Sequence, residues 1–230
     1  MKNILAKGGV EFLAVFLGIA LSLWVDEYQK TNTARELNYK ILSRLYDNLG
    51  ADSTDIIWNI KAHKTSINGS NKVSSWCKDQ QPVLDSIDIF LSSMGIITFF
   101  VNNMEEYNSL KASGRMELLE DANLVKNMHQ YYTHVEWVKG LETMQRDYVT
   151  EQFIPFMSQY SDGYEVDEKR NVYDNSYALF QLHRNPSSKK LNYHAGVIKT
   201  YTGFCHLIYT DLLNRVSELR RMIKKELNNV

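Results

Sequence analysis

Residues 10–25 read VEFLAVFLGIALSLWV, and every residue in this run is apolar or glycine except Glu11 and Ser22. A helix needs roughly 20 such residues to cross the hydrocarbon core of a bilayer, with a lower limit near 17. The residues just before the run bring it to that length if Lys7 extends its ammonium group to the lipid headgroups. The run therefore predicts one transmembrane helix at the start of the chain.

The charges on the two sides of this run predict its orientation. Two lysines and the amino group precede the run, whereas Asp26 and Glu27 follow it. The positive-inside rule places the basic side in the cytoplasm. We therefore expect residues 1–26 to form a cytoplasmic tip and membrane anchor in a bacterial inner membrane. Residues 27–230 are then an extracytoplasmic domain in the periplasm.

Lys7, Trp24 and Tyr28 lie near the two ends of the run. Tryptophan and tyrosine are enriched where the apolar core of a membrane meets its headgroups, and lysine reaches the same level with its long side chain. We interpret these three residues as membrane-interface anchors.

A cleaved signal peptide is the alternative interpretation of this N-terminus. A basic start, an apolar run and small residues on both sides of Leu21 fit that class of segment. Glu11 does not fit it, because a carboxylate inside the apolar part is a poor signal feature. The composition of the run therefore favours an uncleaved anchor.

One face of the predicted anchor combines its only carboxylate with small residues. At 3.6 residues per turn, Glu11, Ala14, Gly18 and Ser22 share this face. Small residues spaced by four let helix backbones approach closely in lipid, and a carboxylate in a membrane usually faces protein or water. The face predicts helix–helix association, in a homo-oligomer or in a complex with another membrane protein. Alternatively, Glu11 sits near the cytoplasmic headgroups and pairs with Lys7.

Two short patterns resemble a known family. Glu11, the Gly18-Ile19 pair and residues 26–28 are similar to the N-terminal signature of an uncharacterised family of short single-pass bacterial inner-membrane proteins. Residues 106–114, EYNSLKASG, resemble the Tyr-x-x-Leu-x-x-Ser-Gly segment of the same family. The chain departs from the pattern at Tyr28, where the family has tryptophan. The resemblance implies a membrane anchor and a helical extracytoplasmic region, and it implies no activity.

Composition favours a helical fold and excludes one class of partner. The 230 residues include only 3 prolines and 11 glycines, which favours long helices over a turn-rich β architecture. The net charge is −1, so the chain lacks the basic balance of a nucleic-acid-binding protein. Cys77 and Cys205 either pair in an oxidising compartment or are two small buried side chains. Taken together, the sequence predicts an all-α fold, with the transmembrane helix continuing into a helical bundle.

Helical periodicity predicts three long helices in residues 27–230. The first continues from the anchor to a stop at Gly50, and Asp52 or Ser53 caps a second helix after it. A long helix opens at residues 120–121 and ends or kinks at Pro155. The last helix covers about residues 191–227, with the apolar stripe Val197, Tyr201, Phe204, Ile208, Leu212, Val216, Leu219, Ile223 and Leu227.

The remaining segments predict shorter elements. Residues 83–101 are too interrupted by polar side chains for a second transmembrane helix and predict a buried short helix followed by an extended piece. A short helix follows and closes at Gly114. Residues 158–192 predict loops around one short helix near 176–183.

No motif for catalysis, metal binding or cofactor binding occurs in the sequence. The six histidines are scattered, and His129 and His134 are five residues apart, which is not the spacing of a helical metal pair. The sequence contains no HExxH, GxSxG, P-loop or GxGxxG pattern. We therefore expect no catalytic residues, no metal and no cofactor.

Three hypotheses follow for the function. The first is a non-catalytic, membrane-anchored subunit that assembles through its transmembrane helix and binds a partner or ligand with its periplasmic domain. The second is a component of an ion- or proton-conducting complex that uses Glu11. The third is a membrane-tethered enzyme whose site the sequence does not reveal. A Glu11→Gln substitution distinguishes the first two, because it removes the ionisable group and keeps the shape.

Overall fold

The structure is a computed structural model that describes residues 2–79, 87–119, 121–166 and 178–228. Most of these residues are helical, as the composition predicts. The helices are α1 (Lys2–Asp79), α2 (Ile87–Met94), α3 (Glu105–Ala112), a 3₁₀ turn (Arg115–Leu118), α4 (Ala122–Tyr148), a π-helical turn (Val149–Phe153), α5 (Ile154–Met157) and α6 (Ser188–Leu227). Two strands, β1 (Ser161–Val166) and β2 (Ala178–Leu182), lie between α5 and α6.

The first helix is much longer than the sequence predicts. It runs without a break from Lys2 to Asp79, about 117 Å at 1.5 Å per residue. The predicted stop at Gly50 is wrong. A glycine inside a helix costs only about 1 kcal/mol relative to alanine, and a Cβ at Gly50 would lie 3.3 Å from the guanidinium of Arg220, so the glycine accommodates a neighbouring side chain. Asp52 is therefore an interior residue of α1 and not a cap.

Three long helices pack through rows of buried residues spaced alternately by three and four. This spacing averages 3.5 residues per turn, so a slight supercoil keeps each row facing its partners. The row on α1 consists of Asn38, Leu42, Leu45, Leu49, Asp52, Ile56, Asn59, His63, Ser66, Ser70, Val73 and Cys77. The row on α4 consists of Leu124, Met128, Tyr131, Val135, Val138, Glu142, Gln145 and Val149. The row on α6 consists of Leu191, Ala195, Ile198, Thr202, Cys205, Tyr209, Leu212, Val216, Leu219 and Ile223.

Contacts between the rows give the helix directions. Ser66 lies 3.5 Å from Thr202, whereas the guanidinium of Arg220 lies over the ring of Tyr46, so α6 is antiparallel to α1. Gln145 on α4 donates to Thr202, at a point where α4 also runs against the direction of α6. We call these three packed helices, α1 from residue 37 onward with α4 and α6, the helical core.

The helical core contains two apolar clusters separated by polar residues. The first cluster is built around Leu42–Ile56 of α1 and the C-terminal half of α6. The second is built around the end of α1, α2, α5 and the start of α6. Between them lie buried polar side chains from all three long helices: Asn59, His63, Ser66, Ser70, Glu142, Gln145 and Thr202.

This polar zone overturns part of the predicted apolar stripe on α6. Thr202, Cys205 and Tyr209 are buried, whereas Phe204 is 54% exposed and Ile208 only partly buried. The stripe is right from Leu212 onward. The reason is that the middle of α6, around Thr202 and Tyr209, packs against polar residues of α1 and α4, so apolar side chains do not mark its buried face there.

The prediction for residues 158–192 is wrong in its secondary structure. Strands β1 and β2 pair antiparallel, with Tyr164 opposite Phe180, and residues 178–182 are a strand instead of part of a short helix. Phe180 belongs to the second apolar cluster, which gives this strand its inner face. In contrast, the predicted short helix is confirmed for the described part of residues 83–101 as α2, and residues 96–104 after it are not helical.

Candidate functional site

The N-terminal part of α1 exposes a continuous apolar surface. Every side chain from Phe12 to Thr31 is exposed, and ten large apolar residues among them show 44–70% of their surface: Phe12, Leu13, Val15, Phe16, Leu17, Ile19, Leu21, Leu23, Trp24 and Val25. Among the described residues, α1 is the one helix long and apolar enough to cross a membrane. Packing against the rest of the chain begins only near Leu37.

Five predicted residues of this surface can be placed. Ala14, Gly18 and Ser22 are exposed on α1, as are Trp24 and Tyr28, whose ring centroids lie 5.9 Å apart. A Cβ built at Gly18 meets no atom within 4 Å, so nothing in the chain itself requires a glycine there. Glu11 and Lys7 belong to α1 by their backbone, and their side chains lie outside the described part of the structure.

A second group of functional interest is buried in the helical core, where residues 96–103 run extended between α1 and α4. We call residues 96–103 the extended segment. Asp52, fully buried, accepts hydrogen bonds from the backbone N–H of Asn103 at 2.8 Å, from its side-chain amide at 3.0 Å and from the hydroxyl of Tyr131 at 2.7 Å. One carboxylate thereby joins α1, α4 and the extended segment.

Two further carboxylates hold the same segment. Asp55 accepts from the N–H of Val101 at 3.0 Å, and Glu142 accepts from the N–H of Phe100 at 2.8 Å. Glu142 also accepts a short hydrogen bond from the hydroxyl of Tyr209. We call Asp52, Asp55 and Glu142 the carboxylate clamp.

Polar side chains continue this arrangement toward the start of the segment. The Nε2 atom of His63 lies 3.2 Å from the hydroxyl of Thr98, and the amide of Gln145 donates to the carbonyl of Ile96 at 3.3 Å. The His63 ring packs edge-on against Tyr209, with centroids 5.0 Å apart. The buried polar residues therefore serve as partners for a piece of backbone that no helix or sheet satisfies.

Burial dominates the ionisation of these groups. It raises the pKa of Asp52, Asp55 and Glu142, even though the hydrogen bonds they accept act in the opposite direction. Burial lowers the pKa of His63 to about 4, so the imidazole is neutral at pH 7. The pKa of Tyr209 is raised by burial and by the adjacent Glu142, so its hydroxyl remains a donor.

An open groove runs beside the extended segment. Its volume is about 820 Å³, and Ala51, Thr54, Asp55, Trp58, Ile97, Thr98, Phe99 and Val101 line it. Asp55 is its one ionisable lining residue, and that carboxylate already accepts from Val101 and from the amide of Asn59. This groove therefore offers an apolar surface and no pair of groups for acid–base or nucleophilic chemistry.

A second open groove, of about 710 Å³, lies between α5 and the start of α6. Its lining includes Glu151, Lys190 and His194. His194 accepts or donates a 2.9 Å hydrogen bond with the hydroxyl of Tyr148, and burial with the nearby Lys190 lowers its pKa. The histidine is thus engaged by its own chain, as expected for a structural residue.

The described residues form no metal site and no site for thiol chemistry. Within those ranges, no three His, Cys, Asp or Glu side chains come together as metal ligands. Cys77 and Cys205 are both free and buried, so the alternative of two small buried side chains is the correct one. Burial raises the pKa of the Cys77 thiol to about 11 and that of Cys205 to about 12, which disfavours the reactive thiolate.

The carboxylate clamp is not among the residues that the sequence predicts as a site. Asp52 is predicted as a helix cap, and no pattern in the sequence singles out Glu142. The available signal was spacing: Asp52 continues the row of Leu42, Leu45 and Leu49.

Comparison of the chain with protein-family models, curated proteins and solved structures finds no match.

Proposed function

We propose that this protein is a non-catalytic, membrane-anchored subunit of a bacterial inner membrane. Residues 1–26 form the anchor, with the N-terminus in the cytoplasm. Residues 27–230 form a periplasmic helical bundle that binds a partner or ligand. The observation that carries the proposal is the run of ten large apolar side chains, from Phe12 to Val25, exposed on a helix that continues into the helical core.

An exposed run of this kind needs an apolar environment. Burial of apolar surface contributes roughly 25 cal/mol for each Å² removed from water, and large contiguous apolar patches mark contacts with membranes or proteins. The lipid bilayer supplies that environment around a single helix. The change at Asp26 and Glu27 to an exposed polar helix, with Lys30 paired to Asp26 at 2.7 Å, supports an exit into water at this point.

Assembly through the face of Glu11, Ala14, Gly18 and Ser22 is the second part of the proposal. Small residues on one face permit close helix packing in lipid. A side chain at Gly18 would touch nothing within the chain, so packing inside the chain does not require a glycine there, and close contact with another helix is the reason we propose for it. The partner helix belongs to a second copy of the chain or to another membrane protein.

A small-to-large substitution tests the assembly. We expect Gly18→Leu to abolish cross-linking of the full-length chain in native membranes, because the leucine holds the two backbones apart. Ala20→Leu is the matched control, since Ala20 lies about 200° around the helix from Gly18 and should face lipid. Cross-linking that is unchanged in Gly18→Leu, or equally lost in Ala20→Leu, would contradict association through this face.

A further inference from the structure

The extended segment is attached to the helical core by side chains. Within the described part of the chain, no backbone–backbone hydrogen bond involves residues 97–103. The N–H groups of Phe100, Val101 and Asn103 all donate to carboxylates of the clamp. In a strand or helix such donors bond to carbonyl groups, whose acceptor strength does not change with pH. Here the acceptors are groups that gain and lose protons.

The two edges of the segment are held by different helices. Val101 and Asn103 point their N–H groups toward α1, where Asp55 and Asp52 receive them. Phe100 points its N–H group toward Glu142 on α4. This alternation is that of an extended chain, in which successive N–H groups face opposite directions. Release of the segment would therefore break contacts with both helices and admit water to the two buried carboxylates, Asp52 and Glu142.

We propose that the extended segment is a proton-coupled latch: its release from α1 and α4 is accompanied by proton loss from Asp52 and Glu142 and by proton uptake at His63. The latch is independent of the membrane anchor and of what the protein binds.

The carboxylate side of the latch follows from burial. In the attached state the carboxyl groups are shielded from water, which raises the pKa of Asp52 and of Glu142. After release the two groups are hydrated and their pKa values return to the ordinary range. The attached state therefore binds their protons more strongly, so a rise in pH favours release through these two groups.

The histidine side acts in the opposite direction. Attached, His63 is 1% exposed and contacts Thr98 of the segment, and burial lowers its pKa to about 4. Once hydrated, the imidazole titrates near pH 6.5. The released state therefore binds this proton more strongly between about pH 4 and 6.5, and a fall in pH favours release through His63.

The charged and titratable neighbours of each group are few. Asp52 faces Asp55 on α1 and Tyr131 and Tyr132 on α4, and the segment presents only the Asn103 amide. Glu142 has such neighbours on both other long helices, and His63 has them on α6. For Glu142 these are Asp55 on α1, Lys139 on α4, and Cys205 and Tyr209 on α6; for His63 they are His206 and Tyr209 on α6.

Hydrogen exchange of the full-length chain in lipid nanodiscs tests the latch. The quantity measured is the protection of the amides of Phe100, Val101 and Asn103 against exchange. It is followed from about pH 4.5 to about pH 7.5 and corrected for the intrinsic exchange rate at each pH. For one titrating proton, the limiting slope is about tenfold in protection per pH unit. The amides of Val135 and Val138, in the apolar part of α4, provide the internal reference.

Two variants should shift the slope of protection against pH in opposite directions from that of the wild type. His63→Gln leaves only the carboxylate side, so we expect its slope to be more negative. Glu142→Gln removes one of the two buried carboxylates and keeps an acceptor for Phe100, so its slope should be more positive. Asp52→Asn should change the slope in the same direction as Glu142→Gln, which gives a second measurement if one variant folds poorly.

His194→Gln is the matched control, because His194 also has a lowered pKa but contacts Tyr148 and not the segment. Its slope should equal that of the wild type. The proposal is overturned if, relative to the wild type, His63→Gln does not make the slope more negative or Glu142→Gln does not make it more positive. It is also overturned if the segment and the α4 reference respond identically to pH in every variant.

Discussion

Residues 12–25 and residues 52–66 belong to the same helix and invert the usual distribution of side chains. The first stretch places large apolar residues on the outside, whereas the second buries Asp52, Asn59 and His63. Each arrangement has a local cause. The apolar stretch makes no contact with the helical core and fits a lipid environment, and the polar row supplies hydrogen-bond partners to an extended backbone. The polarity of a helix face therefore depends on what the face contacts, and not only on whether the face is buried.

The largest effect on stability is expected from removal of a buried carboxyl group in the second stretch. Asp52→Ala leaves the buried Tyr131 hydroxyl and two donors of the half-buried Asn103 without an acceptor. Unsatisfied buried groups cost about 1–3 kcal/mol each, so we expect the free energy of unfolding to fall by about 3–5 kcal/mol in denaturant titrations. Asp47→Ala, at an exposed position of α1, is the control and should change it by less than about 0.5 kcal/mol. Equal effects of the two substitutions would show that burial of Asp52 is not structurally important.

A smaller effect is expected from glycine-to-alanine substitutions, which test how closely the neighbouring elements pack on the helix. A Cβ at Gly69 would lie 2.8 Å from the carbonyl oxygen of Phe90 and 2.9 Å from the amide nitrogen of Met94, so Gly69→Ala forces α2 away from α1. Overpacking of this kind costs about 1–3 kcal/mol, measurable as a lower melting temperature. Gly18→Ala, where an added Cβ meets nothing of the chain within 4 Å, should leave the melting temperature of the helical core unchanged. Gly196→Ala, where the added Cβ is equally free, should be neutral or stabilising by up to about 1 kcal/mol. A melting temperature unchanged by Gly69→Ala would contradict the close approach of α2.

Much of the helical content follows from the sequence, and the buried polar positions escape prediction for one physical reason. The last helix, the helix from residues 120–121 and the short helix closed by Gly114 were predicted from apolar spacing and turn residues. Their buried faces were missed where the row becomes polar, as at Glu142, because regularly spaced apolar residues indicate a buried face only where the buried side chains are apolar. The partners that reverse this assumption are backbone groups of residues 96–103, which come together with α1 and α4 only in the folded chain.

The two-stranded pairing and the length of α1 were missed for other reasons. Strand β2 is short and its inner face is fixed by contact with the second apolar cluster through Phe180. Gly50 signals a helix end in isolation, yet the packed rows continue on both sides of it and hold the helix together. The composition and spacing of the proposed anchor residues define the face of Ala14, Gly18 and Ser22. They do not define which helix would contact that face.

Accessibility of a single cysteine in bacterial spheroplasts tests the central claim most directly. Lys40→Cys places a thiol at an exposed position beyond the anchor, whereas the native Cys77 and Cys205 are buried and give little background. We expect the protein in the membrane fraction after alkaline extraction, with Lys40→Cys labelled by a membrane-impermeant maleimide in intact spheroplasts and Lys2→Cys labelled only after permeabilisation. A protein recovered in the soluble fraction, or a Lys40→Cys thiol that reacts only after permeabilisation, would contradict an anchor that leaves the helical core outside the cytoplasm.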